Sequence, residues 1–212
     1  MRIWFRSLLY LVFAAWGFGA SAEPQSDLFK AVSLDDGRRV QQLINAGADP
    51  NRPDANGQTP LTLALRDQAF DAAAVLIAHP SVQVDLANAN GETPLMMACL
   101  RGQLALARQL VAKGAAVNRT GWAPLHYAAS GPGVPVVAWL LEQGAAIDAP
   151  SPNRSTPLMM AARYGAIDSA DMLLARGANA KLRNDRDLDA AAFARTAGRD
   201  ALAARLEAAP PR

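Results

Sequence analysis

Apolar residues along this chain come in short clusters at helical spacing, punctuated by Gly and Pro at regular intervals. In Asn90–Asn118 (NGETPLMMACLRGQLALARQLVAKGAAVN), Leu95, Ala98 and Cys99 share one face of a first predicted helix. Thr93 is its expected N-cap, and Pro94 fits the first turn, where a missing N–H costs nothing. Gly102 breaks that helix, and a second is predicted from about Leu104, with Leu106, Leu110 and Val111 spaced for burial. Gly114 is placed to supply the left-handed cap that ends it, and a polar extended turn follows. Such a unit exposes an apolar face that only a neighbouring unit can cover.

The pattern returns. The Pro of each copy falls at Pro60, Pro94, Pro124 and Pro157, in steps of 34, 30 and 33 residues, and a Gly-Ala pair recurs in phase at Gly47, Gly114, Gly144 and Gly177. Two markers locked to one period describe a stack of repeats, not a single wound core. TPLMMA at Thr93–Ala98, TPLMMAA at Thr156–Ala162 and GWAPLHYAAS at Gly121–Ser130 resemble the ankyrin repeat, whose signature is T-P-L-H-x-A followed by a Gly-Ala turn. The resemblance implies an all-α ankyrin solenoid of stacked helix-turn-helix units with projecting loops. It covers residues 23–207 as five units plus a degenerate terminal half-unit. The first unit starts near Asp27 and ends in NAGADPN (Asn45–Asn51), and full copies begin near Asp54, Asn88, Thr120 and Ser151. In the last, Asp189-Ala190-Ala191 replaces Thr-Pro-Leu, and Arg199, Asp200, Arg205 and Glu207 make the outer helix polar, as a terminal cap requires. Residues 208–212 are expected to form a disordered tail.

The copies differ in places. The second lacks Gly-Ala and runs AHPSVQVD (Ala78–Asp85), one residue longer, so its turn is expected to bulge. The loop before Trp122 is about three residues shorter than its neighbours, and Arg154 occupies the usual turn Gly, at a cost if that position has positive φ. Such changes either shape a specific surface or reflect drift in exposed loops, and drift is slightly favoured.

Residues 1–22 read as a signal peptide. Arg2 and Arg6 precede an apolar run, Ser7–Gly19, and Ala20-Ser21-Ala22 is a small-residue cleavage site before Glu23. The run is too short, and too soon followed by Glu23, Gln25 and Asp27, to favour a membrane span, so cleavage is expected over an uncleaved anchor. The chain carries 21 Lys and Arg against 19 Asp and Glu, and the leader removes two Arg and no acid, leaving a formally neutral mature chain. No nucleic-acid partner is therefore expected, nor a membrane once the leader is cleaved. Eighteen of the 21 basic residues are Arg and Ala is abundant, the composition of a GC-rich bacterial genome; with the leader, this points to the periplasm.

Little in the sequence points to catalysis. Cys99 is the single cysteine, at a position where other copies carry Leu65, Ala129 and Ala162, and reads as a small buried apolar residue. His126 resembles the family's structural histidine, whose ring bonds neighbouring loops, and His79 reads as exposed. Two isolated His and one Cys make no closed metal site, and the Asp185, Asp187, Asp189 series lacks the Gly and terminal Glu of a calcium loop. Asp35-Asp36 likewise reads as a helix start. GPGVP (Gly131–Pro135) is followed by no G-K-S/T and reads as a turn between helices, with Pro135 opening the second. No cofactor, metal or enzymatic activity is expected.

What the resemblance implies is a concave face of loop tips and inner helices that binds another protein. Its candidate contacts are Asn56, Gln58, Arg66 and Asp67 in the second unit, and Asn90, Glu92, Leu100 and Arg101 in the third. The fourth and fifth units contribute Trp122, Ser130, Asn153, Ser155, Arg163 and Tyr164. Trp122 has two readings, an interface residue of the type that dominates binding energy or packing on the shortened loop. Trp139, inside VVAWLL, reads as packing. The expected function is a non-catalytic periplasmic binding module; the alternatives are an accessory factor for an envelope redox or stress enzyme, and an immunity-type neutraliser of a toxin.

Overall fold

The computed structural model describes residues 22–210, with Ala22 and Glu23 as backbone only. The expected leader, apart from Ala22, and residues 211–212 of the expected tail lie outside the described residues. Twelve α-helices and no strand make up what is described. They form six pairs: α1 (Ala22–Ser33) with α2 (Gly37–Asn45), α3 (Pro60–Arg66) with α4 (Phe70–Ala78), α5 (Pro94–Leu100) with α6 (Leu104–Ala112), α7 (Pro124–Ser130) with α8 (Val134–Glu142), α9 (Pro157–Arg163) with α10 (Ile167–Ala175), and α11 (Ala190–Thr196) with α12 (Asp200–Ala208). The odd-numbered inner helices stack one on the next from α1 to α11, and the outer helices α2 to α10 form the second layer.

Local sequence explains each inner helix. The Thr59, Thr93 and Thr156 hydroxyls accept the N–H of Thr62, Met96 and Met159 at 3.2, 3.4 and 3.4 Å, and Pro occupies the first helical position. Asp189 does the same for Ala192 at 2.9 Å in α11, whereas Ala123 leaves α7 without a side-chain cap. Gly47, Gly114, Gly144 and Gly177 follow their outer helices with φ between 82° and 99°, the left-handed turn expected of them. Where the second unit lacks this glycine, His79 turns extended (φ −69°, ψ 132°) directly into Pro80. His79 is half-buried there rather than exposed, its Nδ1 lying 2.8 Å from the Ser81 hydroxyl.

One core runs the length of the stack, from Leu28 and Val32 to Leu202 and Leu206, and includes Cys99, Trp139, Leu95 and Leu158. Val111, expected in the core, is half-buried against it. Alanines at the inner-helix positions let neighbouring helices approach closely, and Gly131 marks one such close approach. A Cβ there would stand 2.4 Å from the Leu100 carbonyl oxygen, so the GPGVP turn needs glycine for space rather than for a phosphate.

Hydrogen bonds also join unit to unit. Asn51 accepts the Gln83 N–H (2.8 Å), Asp85 that of Ala116 (3.3 Å), Asn118 that of Ala146 (2.9 Å) and Asp148 that of Asn179 (2.9 Å). One Asn or Asp per unit thus satisfies a backbone donor of the next, at a register the period repeats.

The two ends differ from expectation. α1 begins at Ala22, five residues before Asp27, so the first unit is longer than its apolar pattern suggests. The terminal segment is a complete helix pair, α11 and α12, not a half-unit; α12 reaches Ala208 and Ala209 packs on the core. Its exposed face is polar, with Arg195 paired to Glu207 and Arg205 to Asp171. Among the described residues no helix is long and apolar enough to cross a membrane.

Candidate protein-binding groove

The loops before α3, α5, α9 and α11 are tight turns built on one register. The Asp54, Asn88, Ser151 and Asn184 N–H groups donate to the carbonyls of Gln58, Glu92, Ser155 and Leu188 at 2.9 to 3.0 Å. Each turn places one residue at positive φ: Gly57 at 72°, Gly91 at 77°, Arg154 at 60° and Asp187 at 59°. Asp54, Asn88 and Asn184 add a side-chain oxygen that accepts two backbone N–H groups of their own loop. Loop tips join directly, Ala89 N–H to the Gly57 carbonyl at 2.9 Å and Asp185 N–H to that of Asn153 at 3.1 Å.

The shortened fourth loop breaks this series, and His126 bridges the gap. Its Nδ1 accepts the Ala123 N–H at 3.1 Å and its Nε2–H donates to the Ser155 carbonyl at 3.1 Å, both as the neutral ring. Burial pushes its pKa below the ordinary 6.5, against the hydrogen bonds that raise it. The shorter loop also sets Trp122 over this ring, edge to face at 5.2 Å, and edge-on to Tyr127 at 6.5 Å.

This aromatic cluster lines a groove of about 210 Å³ with Leu100, Ser130, Met160 and Tyr164. Trp122 is 37% exposed and Tyr164 57%. A single isolated apolar residue on a surface needs no explanation; several converging on one groove suit a binding face. Tyr127 is fixed in place because its hydroxyl donates to Glu92 at 3.2 Å, and its pKa is pushed up to about 12, mainly by burial and then by that carboxylate. A second cavity of about 260 Å³ shares Trp122, Met160 and Tyr164 and adds Asn153, Ser155, Arg163, Arg186 and Phe193.

Five of the fourteen candidate contacts therefore meet around Trp122, namely Leu100, Ser130, Tyr164, Asn153 and Arg163. Two candidates belong to the scaffold instead. Gln58 is buried, its amide oxygen accepting Asn88 Nδ2 at 3.0 Å, and Ser155 is 1% exposed, holding His126 by its carbonyl. The reason is shared: the residue two before the helix Pro points its polar atoms at the adjacent loop. Arg101 donates through Nε and Nη2 to the Arg66 carbonyl at 2.9 and 2.6 Å, and so caps the end of α3. Arg66 and Asp67 pair with each other at 2.8 Å; Asn56 and Asn90 are exposed loop tips lining neither cavity. Glu92 reaches the groove through Tyr127.

Tyr127, Met160 and Arg186 escaped sequence reasoning. Tyr127 and Met160 share the helix register of Leu63 and Met97, which the apolar pattern assigns wholly to the core. Arg186 had a usable signal, since it holds the loop register of Asn56, Asn90 and Asn153 one unit further on. Cys99 is fully buried and free, with its thiol pushed far above the ordinary range by desolvation, which removes it from chemistry at the surface.

The described residues match the family described as ankyrin repeats (3 copies) over residues 28–120 and 115–184. The nuclear factor NF-kappa-B p105 subunit of Gallus gallus is 31% identical over 167 residues, which is 76% of this chain and 17% of that protein. A putative palmitoyltransferase, ZDHHC13, of Danio rerio is 31% identical over 140 residues, 65% of this chain and 22% of that protein. The chain thus spans less than a quarter of the length of these relatives. A chain in the solved complex of the predatory endopeptidase Bd0816 from Bdellovibrio bacteriovorus with immunity protein Bd3460 has a similar fold. There the TM-score is 0.71 at 26% identity, covering 86% of this chain and 97% of that one. On the repeated helix pairs, the joined loops and this match, the chain belongs to the ankyrin repeat family.

Proposed function

We propose that this protein is an exported, non-catalytic binding module that holds one partner protein on its concave face, at the groove centred on Trp122. The observation that carries this reading is that groove: Trp122, Tyr127 and Tyr164 converge there on a rigid scaffold, with Tyr127 fixed by Glu92. Aromatic residues held in place lose little freedom on binding, which is why such clusters supply affinity. Export rests on the leader read in residues 1–22 and addresses the protein to the periplasm. The test uses residues 23–212 as bait in envelope extract. A stoichiometric complex that disappears with Trp122→Ala supports the proposal, and substrate turnover without any stable partner overturns it. For export, intact-mass measurement of the secreted protein is expected to begin at Glu23; retention of residues 1–22 removes that claim.

A second, narrower reading is that the partner is a toxic enzyme which this protein neutralises. It is supported by the likeness to a chain that occurs in a complex of an endopeptidase with an immunity protein. It predicts that the captured partner loses its enzymatic activity at one-to-one stoichiometry. Full activity in the complex favours the accessory role instead.

A further inference from the structure

We propose that the groove takes an extended segment of the partner in which a Glu or Asp side chain lies within two residues of a large apolar one. The inference rests on the protein-binding reading above and adds the chemistry of what is bound.

The apolar requirement follows from the Trp122, Tyr127, Leu100, Met160 and Tyr164 lining. The acidic requirement follows from the arginines. Arg39, Arg66, Arg119, Arg183, Arg195 and Arg205 each pair with a carboxylate of the chain. Arg101 and Arg199 donate to backbone carbonyls. Arg38, Arg52, Arg108, Arg154, Arg163, Arg176 and Arg186 belong to no ion pair among the described residues, and of these Arg163 and Arg186, both exposed, line the second cavity together. The carboxylate that reaches the groove wall, Glu92, is bonded to Tyr127 and Asn88, at 3.2 and 2.8 Å. Two guanidiniums thus share a cavity whose lining contains no carboxylate.

Their placement couples the two requirements. Arg163 lies over the Tyr164 ring at 5.2 Å, and Tyr164 lines both cavities, as do Trp122 and Met160. A carboxylate beside Arg163 is therefore a short step from the apolar groove, one or two residues of an extended chain at about 3.3 Å per residue. The planar guanidinium fork matches a carboxylate and is weakly hydrated, so it exchanges water for such a partner readily. Asn153, exposed on the same lining with its Oδ1 held by Ser151 and Ser155, offers its Nδ2 to the segment's backbone.

The test pans a random heptapeptide phage library on residues 23–212, on Trp122→Ala and on the double variant Arg163→Gln with Arg186→Gln, whose exposed positions leave melting temperature as a folding control. The wild-type chain is expected to enrich peptides with an acid within two positions of Leu, Met, Phe, Tyr or Trp. The best sequence, synthesised with an amidated C-terminus, is expected to lose about tenfold in affinity when its acid becomes the amide. The double Gln variant should lose as much, and the two losses should not add. Enrichment without acids, an unchanged affinity in the Gln variant, binding that needs a free C-terminal carboxylate, or no enrichment overturns the inference. Loss with Trp122→Ala but not with the Gln pair discards the acidic partner while keeping the groove; indifference to Trp122→Ala discards both.

Discussion

Trp122 stands edge-on to His126, ring centroids 5.2 Å apart at 78°, so the exposed indole of the groove rests on a buried histidine. Trp122 packs edge-on to His126 and Tyr127 of α7 and also lines the groove. Trp122→Ala is expected to weaken partner binding by tenfold or more while costing about 1 kcal/mol of stability through the lost edge contact. For a chain of this size that is a melting-temperature drop of roughly 2–4 °C. Titration of partner binding beside thermal unfolding checks it; a large stability loss with unchanged affinity shows that the indole is purely structural.

His126 makes stability depend on pH. Both ring nitrogens are used in the neutral form, and burial holds the folded pKa below the ordinary 6.5. On acidification the unfolded chain takes up this proton first, so the contribution is complete above about pH 6.5 and declines below it toward the folded pKa. The slope cannot exceed about 1.4 kcal/mol per pH unit for one group. Denaturant unfolding between pH 7.5 and 5 is expected to show this decline, and His126→Gln, less stable at pH 7.5, is expected to lose that component of it. Equal slopes for the two proteins remove His126 as the cause.

Much of this was legible in the sequence because period and punctuation are local. Thr93, Pro94, Gly102 and Gly114 each act within one unit, and the structure places each in the role its chemistry suggests. Contacts between units were less legible. Gln58 and Ser155 read as exposed loop residues because nothing in their own unit shows that Asn88 and His126 reach them from next door. Tyr127 drew no reading from the sequence, because its register is apolar in the other units, and it lines the groove beside Trp122. The groove is a property of adjacent units, whereas a repeat is recognised one unit at a time.

Arg154 tests the cost of the one loop that departs from glycine in the fifth unit. It is exposed at φ 60°, at the register of Gly57 and Gly91, and a side chain there carries a left-handed strain of about 1–2 kcal/mol. Glycine relieves the strain but loses up to about 1 kcal/mol to a freer unfolded chain. Arg154→Gly is thus expected to raise stability by up to about 1 kcal/mol, read as a shift of the urea midpoint at unchanged slope. A lowered midpoint shows that Arg154 makes compensating contacts.

Arg199 fastens the terminal helix pair to the rest of the stack. Its Nη1 donates to the carbonyls of Gly165 at 2.8 Å, Ala161 at 3.2 Å and Ala162 at 3.3 Å, at the end of α9, where helix carbonyls lack partners and cations are favoured. Arg199→Met keeps the aliphatic stem and removes the donors, at a cost of about 1–3 kcal/mol for the Ala162 and Gly165 carbonyls left unpaired, since Ala161 keeps the Gly165 N–H. A solenoid transmits such a loss only to neighbours, so the damage should remain at this end. Amide exchange is expected to accelerate in α11, α12 and the end of α9 while α3 to α6 keep wild-type protection. Uniform acceleration along the chain shows instead that the six units unfold as one.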